Sequence, residues 1–454
     1  MAIALDGGYP DDTPLVNFAG QQARSPFGRR RAAHHERLFS LTHPDRLFSA
    51  RIADSDAIGD VARPEEWPAS GESEERPAEA RDFDARLVKE SFSHLTENPG
   101  LAMEHFYARL FVCHPEIRSM FPHAMHDHME RVFDALARIV WHIDNPDSLI
   151  DYLSRLGRGH RKFGVKERHY EPFLTVLAET VRHFNGHNWT AKTQAAWDAA
   201  LGCVSSAMLA AAERDAALQP PWWVGEVVQH DQRRPDLAVL TIKPDQSLHY
   251  TPGQYVAVQV PRWPRVWRNF SIANAPRENG LVDLHVRGVR GGMVSGSLVH
   301  NTRPGDTLLL GQACGEMTAS ADAEAPLLCI AGGTGLAPIK AIIEGVINAS
   351  KPGRRREIVL FFGARSSEDL YDLPDLRVLE WIYSALTVIP VVAQQEEFDG
   401  INGSLPDVAA RYAKCEGREI FVSGPEFMVR RTVALLADRV RPGQIRYDPS
   451  ASAR

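Results

Sequence analysis

From about residue 84 to 215, apolar positions recur every three or four residues. Val132, Phe133, Leu136, Ile139 and Val140 fall on one face, as do Tyr170, Phe173, Leu174, Leu177 and Val181, which is the stripe an amphipathic helix turns toward a core. Stop signals at Asn98-Pro99-Gly100, Pro115, Pro122, Asn145-Pro146 and Asn185-Gly186 divide this all-α region into about six helices. At Gln219-Pro220-Pro221-Trp222 the pattern changes to short alternating runs such as Tyr255-Val256-Ala257-Val258-Gln259-Val260. These are punctuated by Thr251-Pro252-Gly253, Asn279-Gly280 and Pro304-Gly305-Asp306, so 222–320 predicts an antiparallel β-barrel. From 324 to 448, buried runs at Leu327–Ala331, Glu357–Phe362, Leu386–Val392 and Glu419–Val422 alternate with helical stretches. That alternation predicts an α/β doubly wound parallel sheet.

Residues 1–80 carry few periodic apolar positions, a basic knot at Arg29-Arg30-Arg31 and a polar stretch between Pro64 and Pro77. Such a composition cannot offset the entropy of ordering and predicts a disordered tail. The whole chain, 454 residues with a net charge of −7, is multidomain and has no basic stripe suited to nucleic acid. Five cysteines without a Cys-x-x-Cys pair argue against a disulfide framework or a cysteine-ligated metal and fit a reducing cytoplasm. No apolar run reaches the roughly 18 residues of a membrane span, and no signal peptide is evident. A cytoplasmic monomer acting on small molecules is expected.

Three places could carry chemistry. His160 ends a helical run in Leu156-Gly157-Arg158-Gly159-His160; a lone histidine there suits a surface or satisfied core position as well as a metal ligand. His123, His126 and His128 form a second histidine-rich stretch, which could hold a metal although no carboxylate trio lies near it. Gly332-Gly333-Thr334-Gly335 follows an apolar strand and precedes the helix led by Pro338, where a dinucleotide pyrophosphate sits, although the strict Gly-x-Gly-x-x-Gly spacing is absent.

The stretch His105-Phe106-Tyr107-Ala108-Arg109-Leu110-Phe111, followed by His114 to Phe121, with His160 and then Tyr170 ten residues later, resembles the globin domain of flavohaemoglobins. The resemblance implies haem b with His160 as axial ligand, Tyr170 as the hydroxyl that orients it, and Tyr107 as a donor to bound O2. His128 falls where that family usually carries glutamine, and can donate to O2 or bind the iron itself. Glu213 lies nearest the family's buried glutamate, and Gly159 stands where lysine is common.

Arg268-Asn269-Phe270-Ser271 resembles the flavin signature of ferredoxin reductases, which implies that Arg268 pairs with the FAD pyrophosphate, Ser271 reaches the ring and Phe270 shields it. Gly291-Gly292-Met293-Val294-Ser295 resembles the second phosphate clamp, with Gly292 and Ser295 as contacts. Gly332, Gly333, Thr334 and Gly335 then imply an NADH or NADPH site, with Arg365 near the adenosine 2′ position, Glu368 beside it, and Ser423-Gly424-Pro425 near the nicotinamide, serine replacing the family's cysteine. Tyr447 is a substitute for the aromatic that usually stacks on the flavin. Together these imply a haem-flavin oxidoreductase that converts NO and O2 to nitrate with NAD(P)H. One alternative is a divergent type II member using another donor such as D-lactate; another is a haem-based oxygen or redox sensor recruiting partners through the tail.

Overall fold

In the computed structural model, residues 83–320, 324–351, 354–393 and 398–448 are described; the tail expected at 1–80, with Arg29-Arg30-Arg31, lies outside them. Six α-helices open the described chain: α1 (Ala85–Thr96), α2 (Pro99–Cys113), α3 (His126–Trp141), α4 (Pro146–Arg161), α5 (Tyr170–Asn185) and α6 (Ala191–Ala216). Their starts follow local chemistry. Asn98 caps α2 by accepting from the Leu101 N–H at 3.2 Å, with Pro99 in the first turn, and Thr190 caps α6 by accepting from Thr193 N–H at 3.1 Å.

Helix α6 is long and apolar enough to cross a membrane by length and composition, but Trp197, Ala200, Val204 and Met208 are buried against the other helices. Its partner is α4. A Cβ placed on Gly157 would lie 2.2 Å from the Met208 carbonyl oxygen, so the two backbones touch where α4 is about to deliver His160. Ile139, Leu149, Leu153, Val204 and Met208 form the core around that crossing, with Tyr170 packed on its edge.

Strands β1 (Trp223–Arg234), β2 (Leu237–Pro244), β3 (Tyr255–Gln259), β4 (Arg268–Ser271), β5 (Val282–Arg287) and β6 (Thr307–Cys314) pair in the order β4-β3-β6-β1-β2-β5, with helix α7 (Met293–His300) between β5 and β6. An Ile272–Leu284 bridge joins the two outer strands, closing the barrel over a Val, Leu and Ile core that includes Leu240, Ile242, Val256 and Leu284.

The third domain has the order β10-β9-β8-β7-β11-β12. Its elements are β7 (Leu327–Gly332), α8 (Leu336–Ala349), β8 (Ile358–Ala364), α9 (Leu373–Ile382), β9 (Leu386–Val392), β10 (Ile401–Asn402), α10 (Leu405–Tyr412), β11 (Glu419–Ser423), α11 (Glu426–Leu436) and β12 (Ile445–Arg446). All five strand pairings are parallel, so the ends of β7, β8 and β11 open on one edge, where ligands of doubly wound sheets bind. Helix α8 starts at Leu336, two residues before the Pro338 start expected, because Gly333–Gly335 tighten into a 3-10 turn.

Gly157→Ala is expected to lower stability by about 2 kcal/mol, since the added methyl must push α4 off α6. Urea unfolding of the variant beside the parent checks this; an unchanged midpoint would contradict the close approach.

Candidate functional site

Tyr107 is carried by α2 into the helical core, 3% exposed, with the rings of Phe106, Phe111 and Phe121 around it. Its hydroxyl lies 3.0 Å from Nε2 of His128 on α3. Burial drives the phenol's pKa far up and pulls that of His128 down to about 4, Arg131 and His160 adding to the second effect. His160, at the end of α4, is likewise brought down to about 4 by burial, with Lys162 adding. Both imidazoles are neutral at physiological pH. Nδ1 of His160 lies 3.4 Å from the Tyr170 hydroxyl, which leaves Nε2 as its free nitrogen.

The histidine-rich stretch divides. His123 and His126 are exposed and His126 faces Glu130 at 3.5 Å, whereas His128 turns inward; among the described residues no group of three metal-binding side chains occurs. Glu213 is exposed rather than beside His160. The buried acid is Asp215, which forms an ion pair with Arg161 and accepts from the Gln219 side chain at 2.7 Å. A helical turn of about 100° per residue explains it: two residues move the carboxylate to the inner face, but against Arg161 rather than the imidazole. Gly159 has open space around it.

On the barrel, Arg268 and Ser271 bound β4, opposite Val258 and Tyr255 of β3. Phe270 packs partly on the barrel core. Gly292 caps α7 without any side-chain hydrogen bond, and Gly288 to Gly292, Met293, Gly296 and His300 line a cleft there, so the first N–H groups of the helix are available to an anion. The Ser295 hydroxyl instead accepts from Val289 N–H at 3.4 Å and is buried, supporting the loop from inside.

In the third domain the two nucleotide motifs meet. A Cβ on Gly335 would lie 2.4 Å from Ser423 and Gly424 backbone atoms, and one on Gly424 would lie 3.0 Å from the Gly332 oxygen, so only glycine allows these loops to touch. Gly333, at φ +56°, has open space where a Cβ would point. Thr334 lies between them in the turn, and Pro425 opens α11. Arg365, just past β8, is exposed, while Glu368 is held by Arg234 of the barrel at 2.8 Å. Tyr447, directly after β12, is partly buried against the core cluster that contains Ile420, Val422 and Val429.

The spacing and composition gave no sign of Arg131, Lys162 and Trp267. Arg131 feels His128 on one side and Arg268 on the other; its pKa is lowered by burial first and then by Arg268. Lys162 is lowered by burial too. A signal existed: Lys162 is two residues past His160, and Trp267 directly precedes Arg268.

Family models match in the same order, a globin at 104–208, an oxidoreductase FAD-binding domain at 225–318 and an oxidoreductase NAD-binding domain at 329–434. The flavohemoprotein of Bordetella pertussis is 28% identical over 293 residues, 60% of this chain and 72% of its own length. A solved flavohemoglobin from Malassezia yamatoensis with bound FAD and heme has the same fold at TM-score 0.66 and 17% identity, covering 80% of this chain and 98% of that one. The chain has the three domains of the flavohaemoglobin architecture in the same order. It is an NAD(P)H-dependent oxidoreductase whose cofactors are haem, FAD and the nicotinamide nucleotide. Its reductase half is also similar to the xylene/toluene monooxygenase electron transfer component of Pseudomonas putida, 33% identical over 198 residues, 43% of this chain and 55% of that relative's length.

The residues of this flavohaemoglobin-type chain fit those groups. A neutral imidazole with one free nitrogen suits iron, Arg131 is a cation near His128 that donates to the Asp127 carbonyl at 3.1 Å, and the glycine cradles would be filled by any Cβ.

In the apo-protein, His128 has a pKa of about 4 folded against 6.5 for its unperturbed value. Between those values the unfolded chain binds more protons, so stability falls as pH drops from 6.5 toward 4. The expected loss from this residue between pH 7 and 5 is about 2 kcal/mol. His128→Gln is expected to remove that share of the slope in urea titrations; an unchanged slope would show that His128 is not buried as a neutral group.

Proposed function

We propose that this chain is a nitric oxide dioxygenase, oxidising NO to nitrate with O2 and NAD(P)H, in the cytoplasm and as a monomer. The observation that carries the reading is the Tyr107 hydroxyl set 3.0 Å from Nε2 of His128, an imidazole close enough to His160 to feel its charge. Bound FAD supplies the conversion of a two-electron hydride into single electrons, and bound haem supplies the iron at which O2 is handled.

The chain's own residues do the rest. His160 offers a neutral nitrogen, and the Tyr170 hydroxyl limits rotation of its ring. Tyr107 stays protonated at every accessible pH because burial penalises the phenolate, so its hydroxyl remains a donor to a polar diatomic. His128 adds a second polar group and stays uncharged. Phe106, Phe111 and Phe121 exclude water around this pair, which strengthens any hydrogen bond made there. Arg131 offers charge to the haem carboxylates. Arg268 does the same for the flavin diphosphate, and the Gly335–Gly424 contact lets the nucleotide approach backbone N–H groups.

The type II reading keeps one specific support: among the described residues Glu213 is exposed and Asp215 is committed to Arg161, so neither carboxylate serves His160. Aerobic NO consumption by the haem- and FAD-loaded protein separates the readings. Rapid turnover to nitrate, lost in His160→Ala and slowed about tenfold in Tyr107→Phe by loss of one buried hydrogen bond, is the expected result. Negligible consumption, with D-lactate rather than NAD(P)H bleaching the flavin, would overturn it in favour of the type II reading.

A further inference from the structure

Lys162 leaves the end of α4 two residues after His160. Its ammonium stands 5.4 Å from the Phe163 ring centroid and 5.5 Å from that of Trp267. The two rings meet edge to face, 6.4 Å apart at 81°. Lys162 and Phe163 belong to the helical domain, but Trp267 belongs to the barrel, where it is 8% exposed. It immediately precedes Arg268, whose guanidinium donates back to the Trp267 carbonyl at 2.9 Å. One side-chain contact therefore links the segment bearing the axial ligand to the strand bearing the flavin arginine.

The Arg155–Glu316 ion pair that also joins the two domains spans 3.4 Å between side chains that are 56% and 84% exposed, and such pairs contribute little. A cation withdrawn from water over two aromatic rings is the stronger tie. Lys162 lies just beyond the end of α4, and Trp267 just before β4.

We propose that Lys162, Phe163 and Trp267 form the joint that registers the flavin side of the barrel against the haem side of the helical domain, making Lys162 and Trp267 positioning residues for electron passage between the two. This rests on the flavin-to-haem reading above. The step served is balanced: NAD(P)H and a proton reduce the flavin by two electrons, these leave singly, each taking one haem iron from ferric to ferrous, and two protons return to solvent. Electron passage falls steeply with separation, so a loosened joint slows that step while leaving hydride transfer alone.

The test is anaerobic rapid mixing of the full-length, FAD- and haem-loaded protein with NAD(P)H, comparing Trp267→Leu, Lys162→Met and Lys162→Arg. Flavin bleaching, haem content and the haem absorption band are expected to match the parent. Haem reduction is expected to slow about tenfold in Trp267→Leu and Lys162→Met, the loss of one desolvated cation–π contact, and to recover in Lys162→Arg. X-ray scattering is expected to show a larger radius of gyration in the two slow variants. Haem reduction at the parent rate in both would overturn the joint, as would loss of bound haem or FAD, which would mark a role in cofactor retention. A parent whose flavin bleaches while its haem stays ferric would overturn the underlying reading instead, and the joint with it.

Discussion

Two neutral imidazoles are buried near each other in the helical domain, and the proposed chemistry needs only one of them to hold iron. Burial keeps both His128 and His160 uncharged, each near 4, so charge does not distinguish them. Their partners do. Tyr170 meets His160 at Nδ1, the nitrogen that a metal does not need, whereas Tyr107 meets His128 at Nε2, the nitrogen that would have to reach the iron. In the tautomer protonated at Nε2, His128 donates to the Tyr107 oxygen, which leaves the Tyr107 proton free for a diatomic and leaves no lone pair at Nε2 for iron. The same hydrogen bond that makes a polar distal site therefore keeps that site open.

That asymmetry is built from packing some distance away. Gly157 lets α4 lie directly on Met208 of α6, three residues before His160. Past His160 the chain turns toward the barrel, so the ligand's own segment becomes the surface that meets Trp267. On the far side of the barrel, Arg234 holds Glu368 and Lys340 holds Asp372 at 2.7 Å within the nucleotide domain. The three domains thus place haem, flavin and nucleotide residues in the order in which electrons would move through them.

Much of this was legible in the residues. The period of 3.6 in 84–215, the alternation in 222–320 and the buried runs from 324 onward each report a local rule that the structure obeys, and the six helices fall between the proline and glycine stops. The glycine motifs were legible because their constraint is backbone approach, which only glycine satisfies. What spacing could not show was side-chain direction over long separations. Glu213 and Asp215 differ by two positions, yet one is exposed and the other buried. That His128 meets Tyr107 rests on a contact 21 residues away in sequence. Lys162 and Trp267, 105 positions apart in the sequence, carry no shared motif, and only the fold brings them together.

In the proposed reading His160 alone would hold the iron, while the hydrogen bond to Tyr107 keeps His128 off it. The absorption spectrum of the haem-loaded protein, reduced with dithionite under argon, tests this directly. The account predicts a five-coordinate, high-spin ferrous spectrum that converts at once on exposure to carbon monoxide, and a shift toward six-coordination in Tyr107→Phe. A sharp six-coordinate, low-spin spectrum in the unaltered protein, lost in His128→Leu, would show that both histidines bind the iron and would contradict it.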